Sequence, residues 1–251
     1  MFINNENQSR VPANILNMSN NIISDKQFGD VNGDGILDTV YLIGEKKEKP
    51  LYEDIKLVIQ DGSTKQSYII SLLPNYSMAY DPFITLCDFN GDKGEDILIG
   101  LPVGGSGALT YYYVITFLNN RPNYIMTPRW TESLNEKLGF EVIYKDFYKV
   151  NVFSKKLNKS LILDVSNRKE SYQGSVYNRA GRLIRPRKGF IIDFPHIYPV
   201  NLDGGPFMLM LSQDIAGTSH ADKLGYLTSY WSYSSAQSTW VLNQGMVGIF
   251  I

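Results

Sequence analysis

The sequence predicts an all-β protein, a small β-propeller of about four four-stranded blades. Runs rich in Tyr, Ile, Val, Thr and Phe recur along the 251 residues, and Gly, Asn, Asp or Pro separates most of them. A stretch with alternating acids occurs twice, and weaker copies of the surrounding unit continue at a period of about 57 residues. Convincing helical periodicity is scarce, and its best candidate is the short stretch Thr131–Leu138.

The predicted strands group into four units. They cover residues 38–43, 55–60, 67–72, 83–88, 96–100, 110–118, 140–147, 160–165, 190–194, 207–211 and 223–233. The corresponding blades are 22–78, 79–137, 138–192 and 193–251, and a hairpin with Gly181 near its turn is predicted at Tyr177–Ile184. The N-terminal extension, 1–21, is a candidate closing strand. Five blades or an open repeat arrangement are the alternatives.

Composition excludes several classes of site and partner. The 25 acidic and 24 basic residues nearly cancel, so charge gives no reason to expect nucleic acid as a partner. The single cysteine, Cys87, excludes an internal disulfide and a cysteine-based zinc site. No apolar run reaches the roughly 18 residues of a membrane span. The first residues, MFINNENQSRVP, lack the basic head and apolar stretch of a secretory signal.

The repeated stretch reads DVNGDGILD from Asp30 and DFNGDKGED from Asp88. Calcium prefers six to eight hard oxygen ligands and tolerates irregular geometry. Oxygen-bearing side chains at positions 1, 3, 5 and 9 of a tight turn, with a backbone carbonyl at position 7, can supply such a set. The predicted ligands are Asp30, Asn32, Asp34, Ile36 and Asp38 in the first loop, and Asp88, Asn90, Asp92, Gly94 and Asp96 in the second. We therefore expect two structural Ca²⁺ sites.

These loops are not EF-hands. An EF-hand needs a bidentate Glu at position 12 and a helix on each side. Position 12 is Tyr41 in the first loop and Ile99 in the second, and both flanks are predicted strands. The pattern indicates a calcium loop between two strands of one sheet.

At these residues the chain resembles the FG-GAP repeats of integrin-α-type β-propellers and the related VCBS repeats of bacterial surface proteins. Phe28-Gly29 matches the FG pair, and Gly100-Leu101-Pro102 occupies the GAP position after a strand. The first repeat departs from the pattern there, with Gly44-Glu45-Lys46. The resemblance implies calcium-stabilised propeller blades in a surface or secreted protein.

Two further copies of the unit have lost most of their acids. One begins at Asn201 and keeps Asp203, but position 9 is Leu209. The other should lie near residue 145, where a strand, a loop and a strand follow one another without the acids. The sequence leaves open whether either degenerate loop binds metal.

The function expected from these signals is a noncatalytic calcium-stabilised module of a bacterial spore or cell surface, acting in adhesion or assembly. The composition, rich in Asn, Ile, Lys and Tyr, resembles that of AT-rich spore-forming bacteria, and synthesis in the mother cell would require no signal peptide. The alternative is a polysaccharide-acting lyase or hydrolase on a propeller scaffold, although His196 and His220 lie in separate loops and no nucleophile arrangement is evident.

A surface protein or a polysaccharide is the expected partner. Two sets of residues could lie near this partner. One is a basic hairpin that could bind an anion, with Arg179, Arg182, Arg185, Arg187 and Lys188. The other is an aromatic surface that could bind a sugar, with Tyr111, Tyr112, Tyr113, Tyr226, Tyr230, Trp231 and Tyr233. A solvated hairpin face and cross-strand packing are the respective alternatives.

Overall fold

The computed structural model describes residues 21–46, 50–105, 109–243 and 248–250. Strands take up 52% of the structure and helices 11%, which confirms the predicted all-β class. The candidate closing strand in the N-terminal extension lies outside the described residues, which begin at Asn21.

The first and second sheets share one topology. The first contains β1 (Asn21–Gly29), β2 (Asp38–Lys46), β3 (Tyr52–Gln60) and β4 (Ser67–Ser71), and the second contains β5 (Phe83–Cys87), β6 (Asp96–Gly104), β7 (Leu109–Thr116) and β8 (Asn123–Met126). In both, consecutive strands are neighbours and pair antiparallel. Each sheet is therefore a four-stranded meander, as expected for one repeat unit.

The third and fourth sheets depart from this plan. The third has β9 (Phe140–Lys145), β10 (Lys149–Ser154) and β11 (Lys159–Asp164), and the fourth has β12 (Phe190–Ile191), β13 (His196–Val200), β14 (Met208–Ala216), β15 (Lys223–Ser234), β16 (Thr239–Leu242) and β17 (Gly248–Phe250). The third unit was expected to have four strands, but β12 pairs with β14 in the fourth sheet. The segment after β11 is rich in Arg, Ser and Gly and has no strand alternation, so it forms turns and short helices instead.

Helices are few and short. They are α1 (Pro128–Glu132), α2 (Leu134–Leu138) and α3 (Lys169–Tyr172), with 3₁₀ turns at Pro74–Tyr76, Leu118–Asn120 and Ser166–Arg168. The helical prediction for 131–138 is confirmed, and Gly139 ends α2 with a φ of 63°. The predicted hairpin at 177–184 is a tight turn closed by a single Tyr177–Leu183 bridge, with a φ of 73° at Gly181. No helix among the described residues is long and apolar enough to cross a membrane.

The second sheet contacts both main hydrophobic cores. Along β6, Ile97 and Ile99 pack into the core shared with the first sheet. Leu98, between them, packs into the core shared with the third and fourth sheets. Successive side chains of a strand point to opposite faces of the sheet. The second sheet is therefore buried on both faces, and this explains the uninterrupted apolar run of β6.

Candidate metal centre

Both predicted calcium loops connect the first two strands of a sheet. Residues 30–37 join β1 to β2, and residues 88–95 join β5 to β6. The chain needs left-handed backbone at positions 4 and 6 of each loop. Gly33 and Gly35 have φ values of 78° and 83°, and Gly91 and Lys93 have 78° and 75°. The two loops thus share one backbone conformation despite their different sequences.

In the first loop, the predicted ligands also organise the backbone. The Asp30 carboxylate accepts hydrogen bonds from the N–H groups of Gly33, Asp34 and Gly35 at 2.8–3.1 Å. The Asn32 side-chain oxygen accepts from Asp34 N–H at 3.0 Å, and the Asp34 carboxylate accepts from Ile36 N–H at 2.8 Å. Side chains at positions 1, 3 and 5 therefore point inward and hold the turn.

The second loop repeats most of these contacts position by position. Asp88 accepts from the N–H groups of Gly91 and Lys93 at 2.7 and 3.0 Å. Asn90 accepts from Asp92 N–H at 2.8 Å, and Asp92 accepts from Gly94 N–H at 2.9 Å. The two loops therefore present the same kinds of oxygen in the same order.

The last acid of each loop is the first residue of a strand and is buried. Asp38 is 0% exposed and Asp96 is 1% exposed. Asp38 accepts from the N–H groups of Val31, Asn32 and Gly62 at 2.8–3.3 Å. Asp96 accepts from Phe89 N–H at 2.9 Å and from the Asn90 amide at 3.3 Å. Burial raises the pKa of Asp38 and raises that of Asp96 to about 7, against the effect of these donors.

The donor set fits a hard cation. Within the described part of the chain, neither Asp38 nor Asp96 forms an ion pair with Lys, Arg or His. Buried carboxylates are usually paired or coordinate a metal. A carboxylate has about four lone-pair sites, and each loop aspartate uses at most three of them in the hydrogen bonds above. Each aspartate thus keeps at least one acceptor position for an ion.

In neither loop do the predicted ligand side chains already surround one metal position. Among the described residues, no group of three or more His, Cys, Asp or Glu side chains has a metal-holding arrangement. The contacts with backbone N–H groups explain this, because they direct the loop carboxylates toward their own turn. The amides of Asn32 and Asn90 and the carbonyls of Ile36 and Gly94 complete the predicted oxygen set.

The third loop has lost the acid at the start of its strand. Asn201 and Asp203 still accept hydrogen bonds from Gly204 and Gly205 N–H at 2.7 and 3.1 Å. The loop is one residue shorter than the other two, because β14 begins at position 8, Met208. An apolar residue therefore begins the strand where the first two loops place a buried carboxylate. The residue at this place is therefore Met208 and not Leu209, which counting nine positions along the sequence predicts.

Each candidate loop accepts hydrogen bonds at the backbone carbonyls of its positions 1 and 3, and the sequence did not reveal these contacts. The Asp30 carbonyl accepts from Glu95 N–H at 2.9 Å, and the Asp88 carbonyl accepts from Phe207 N–H at 2.8 Å. The Asn32 carbonyl accepts from Asn119 N–H at 2.9 Å. At the second loop, Ser235 Oγ donates to the Asn90 carbonyl at 3.1 Å in the corresponding place. The first loop thus contacts the second, and the second contacts the third.

The two predicted partner surfaces differ in exposure. Tyr112, Tyr113 and Trp231 are buried in the cores, so the expectation of a sugar-binding surface is wrong for them and cross-strand packing is correct. The arginine-rich turn is largely exposed, although two of its cations pair with acids. Arg182 lies 3.6 Å from Asp146, and Lys188 lies 3.3 Å from Glu141.

Comparison with known proteins places the chain in a family. Over 224 residues it is 37% identical to a Bacillus subtilis (strain 168) protein named "Uncharacterized protein YybI", and the match covers 88% of this chain and 83% of the relative. The chain belongs to the YybI family. Residues 138–247 also match the family model described as the YybI C-terminal domain. No solved structure gives a significant match.

The YybI C-terminal region begins at the end of α2. It contains the third sheet, the fourth sheet except β17, and the degenerate third loop, and the two candidate calcium loops lie before it. The C-terminal family match therefore does not bear on the residues that carry the calcium prediction.

The YybI C-terminal region also holds a polar cluster that sequence reasoning missed. Asp222 accepts hydrogen bonds from Tyr172 OH at 2.7 Å and from Thr218 N–H at 2.7 Å, and its carboxylate pairs with Arg168 at 2.7 Å. Burial alone would raise the pKa of Asp222, but these donors and the Arg168 charge lower it. Burial raises the pKa of Tyr172 to about 12. The cluster is well satisfied by internal hydrogen bonds, as in a structural network.

Proposed function

We propose that this YybI-family protein is a noncatalytic, calcium-stabilised β-sheet module of a bacterial spore or cell surface, acting in adhesion or assembly. The observation that carries the calcium part is the agreement between the two loops. Each presents aspartate, asparagine and aspartate oxygens inward from one turn, followed by a buried aspartate that has no cationic partner among the described residues. The hydrogen bonds to these two aspartates leave their pKa values raised, so a bound cation would stabilise both buried carboxylates.

The role proposed for calcium is structural. The bound ion would offset the negative charges of three aspartates in one turn, and so would link the start of β2 or β6 to the loop before it. Asp38 already connects the first loop to Gly62, which follows β3. Fixing Asp38 would therefore also fix the end of a third strand.

The architecture proposed in finer detail is a small propeller of about four blades, as the FG-GAP and VCBS resemblance implies. The four-stranded meanders of the first two sheets and the repeated loop-to-loop contacts support it. Five blades or an open array are the alternatives, and the three-stranded third sheet makes an open array the stronger of these.

The second candidate function is a polysaccharide-acting enzyme, and one observation favours it. Tyr172, Arg168 and Asp222 form a close set of a phenol, a cation and a carboxylate. A base at neutral pH would need a tyrosine of lowered pKa, whereas burial raises the pKa of Tyr172. We therefore prefer the noncatalytic function. Turnover of a polysaccharide or peptidoglycan substrate that is lost in Tyr172→Phe would reverse this preference.

The calcium proposal is tested by thermal unfolding of the full chain, stripped by chelator and then supplied with calcium. A ligand at a hundredfold excess over its Kd stabilises the folded state by about 2.7 kcal/mol. Each kcal/mol shifts the Tm of a chain of this size by roughly 2–4 °C. We expect the calcium-dependent Tm shift to disappear in the double variant Asp34→Asn, Asp92→Asn. The introduced asparagine side chains can still accept the hydrogen bonds from Ile36 N–H and Gly94 N–H, so the turns themselves are retained.

The matched control is Asp203→Asn in the degenerate third loop. It removes an equally exposed loop carboxylate and should leave the calcium-dependent shift intact. A wild-type melting curve that is the same in chelator and in calcium contradicts the proposal. Immunolabelling of intact spores and cells tests the surface location separately.

A further inference from the structure

A cleft of about 400 Å³ lies beside the second loop, between the second and fourth sheets. This volume is within the range of roughly 300–1,000 Å³ that is usual for small-ligand sites. The polar and aromatic residues that define it are Asn90, Asp92, Arg121, Asn123, Tyr233 and Ser235. Two of these, Asn90 and Asp92, belong to the candidate calcium loop.

At the corresponding position of the first loop, the turn at Asn119 and Asn120 packs against the loop. The Asn32 amide donates to the Asn120 side-chain oxygen at 3.2 Å, and the Asn120 amide donates to Asp61 at 3.2 Å. At the second loop, the short side chain of Ser235 donates to the Asn90 carbonyl in the corresponding place. The outer side of Asn90 and Asp92 is therefore left facing the cleft.

Arg121 supplies a cation to the cleft wall. It follows the 3₁₀ turn Leu118–Asn120 and its side chain is exposed. Across the described ranges, no carboxylate forms an ion pair with its guanidinium. An arginine offers five donors in a planar fork that suits a carboxylate or a phosphate. The cleft thus has a free binding group for one anion.

The remaining walls suit a ring that carries hydroxyl groups. Tyr233 is half-buried, and its ring packs edge-on against Trp240 with 5.5 Å between the centroids. This contact fixes an aromatic surface at one side of the cleft. The amide of Asn123 can donate and accept hydrogen bonds. The hydroxyls of Thr116 and Ser235 already bond to Asp96 and to the Asn90 carbonyl, and they can still accept hydrogen bonds. Tyr233 is one of the aromatic residues that the sequence singled out for sugar binding.

We propose that this cleft binds a single sugar unit that bears one anionic group. Arg121 pairs with the carboxylate or phosphate, Tyr233 contacts the apolar face of the ring, and the amide and hydroxyl groups bind its hydroxyls. The inference rests on the proposed calcium loop, because the Asp92 charge lies in the cleft wall and would repel an anion unless an ion offsets it. The site gives the proposed surface module a carbohydrate class to recognise.

The test is a titration of the full chain with glucuronate, glucose 6-phosphate and glucose, in calcium and in chelator. Binding is followed by calorimetry and by the fluorescence of Trp240, which contacts Tyr233. Arg121→Gln is the test variant, and Arg185→Gln removes an exposed arginine outside the cleft as a control. The Tm shift caused by calcium is measured on the same samples.

We expect at least one acidic sugar to bind in calcium, at least tenfold more tightly than glucose, and its affinity to fall at least tenfold in Arg121→Gln. Arg185→Gln should bind as the wild type does, and Arg121→Gln should keep its calcium-dependent Tm shift. Equal binding of glucose, or full affinity in Arg121→Gln, overturns the inference. A normal calcium shift without binding of either acidic sugar overturns the inference alone, whereas a missing calcium shift contradicts the proposed function.

Discussion

The backbone N–H of Glu95 donates a hydrogen bond to the carbonyl oxygen of Asp30, with 2.9 Å between the nitrogen and the oxygen. Asp30 begins the first candidate calcium loop, and Glu95 is the eighth residue of the second. The two loops are therefore in direct contact. An ion bound by one loop would therefore also restrain a hydrogen-bonding partner in the other.

Position 29 has little space for a side chain beside the second loop. A Cβ at Gly29 would lie 2.0 Å from Glu95 Oε2 and 2.6 Å from Leu86 Cδ1, so the ends of both side chains would have to move. Because these ends are flexible, we expect Gly29→Ala to destabilise the protein by about 1 kcal/mol, the lower end of the usual cost of overpacking. Chemical denaturation measures the change. Gly205→Ala is the control, since the nearest neighbour of its Cβ would be Asp203 Oδ1 at 3.2 Å. Equal stability of the two variants would argue against the loop contact.

Asp38 has a structural role that does not depend on calcium. Its carboxylate accepts hydrogen bonds from three backbone N–H groups, and Ala would leave these buried donors unpaired. Each unpaired buried group costs about 1–3 kcal/mol. We expect Asp38→Ala to lower the Tm even in chelator, whereas Asp34→Asn should lower it only in calcium. Identical behaviour of the two variants in chelator would contradict this separation of roles.

The second sheet should be sensitive to truncation on both of its faces. Leu98 and Ile99 are fully buried, and they face different cores. We expect Leu98→Ala and Ile99→Ala each to reduce the free energy of unfolding by about 2–5 kcal/mol. Ile162 on β11 is 65% exposed, so Ile162→Ala should change the free energy of unfolding little. A small effect of either core substitution would show that its face is not packed as described.

The Asp222 cluster predicts a loss of stability in acid. Hydrogen bonds and Arg168 lower the folded-state pKa of Asp222 below its unfolded value, despite the opposing effect of burial. Its contribution is therefore fully present above the unfolded pKa of about 3.9 and declines as the pH falls through the lower folded-state pKa. We expect Asp222→Asn to be less stable than the wild type at neutral pH, with a difference that shrinks in acid. A constant difference across this window, measured by urea unfolding, would contradict the assignment.

Much of the fold could be predicted from local sequence. Runs rich in Ile, Val, Leu, Tyr and Thr marked β3 and β7, and the acid-rich turns marked the starts of β2 and β6. The strand β10 was missed, because Lys149–Ser154 follows a tight turn in which Phe147 and Tyr148 have left-handed φ values of 61° and 57°. Local patterns gave no signal for that turn.

The polar cluster and the cleft could not be predicted, because they depend on tertiary contacts. Tyr172 and Asp222 are 50 residues apart. Arg121 lies between β7 and β8 of the second sheet, whereas Tyr233 lies on β15 of the fourth. The buried state of the tyrosines on β7 also depended on a second sheet packing against each face. Each candidate calcium loop has all of its expected ligands within nine consecutive residues, which is why the sequence could predict these loops.

The most direct test of the central claim is a calorimetric titration of calcium into the chelator-stripped full chain. We predict that the wild-type protein binds two calcium ions per chain. The variants Asp34→Asn and Asp92→Asn should each bind one ion, and Asp203→Asn should still bind two. Absence of calcium binding by the folded wild-type protein, or a stoichiometry that neither loop variant changes, would contradict the account.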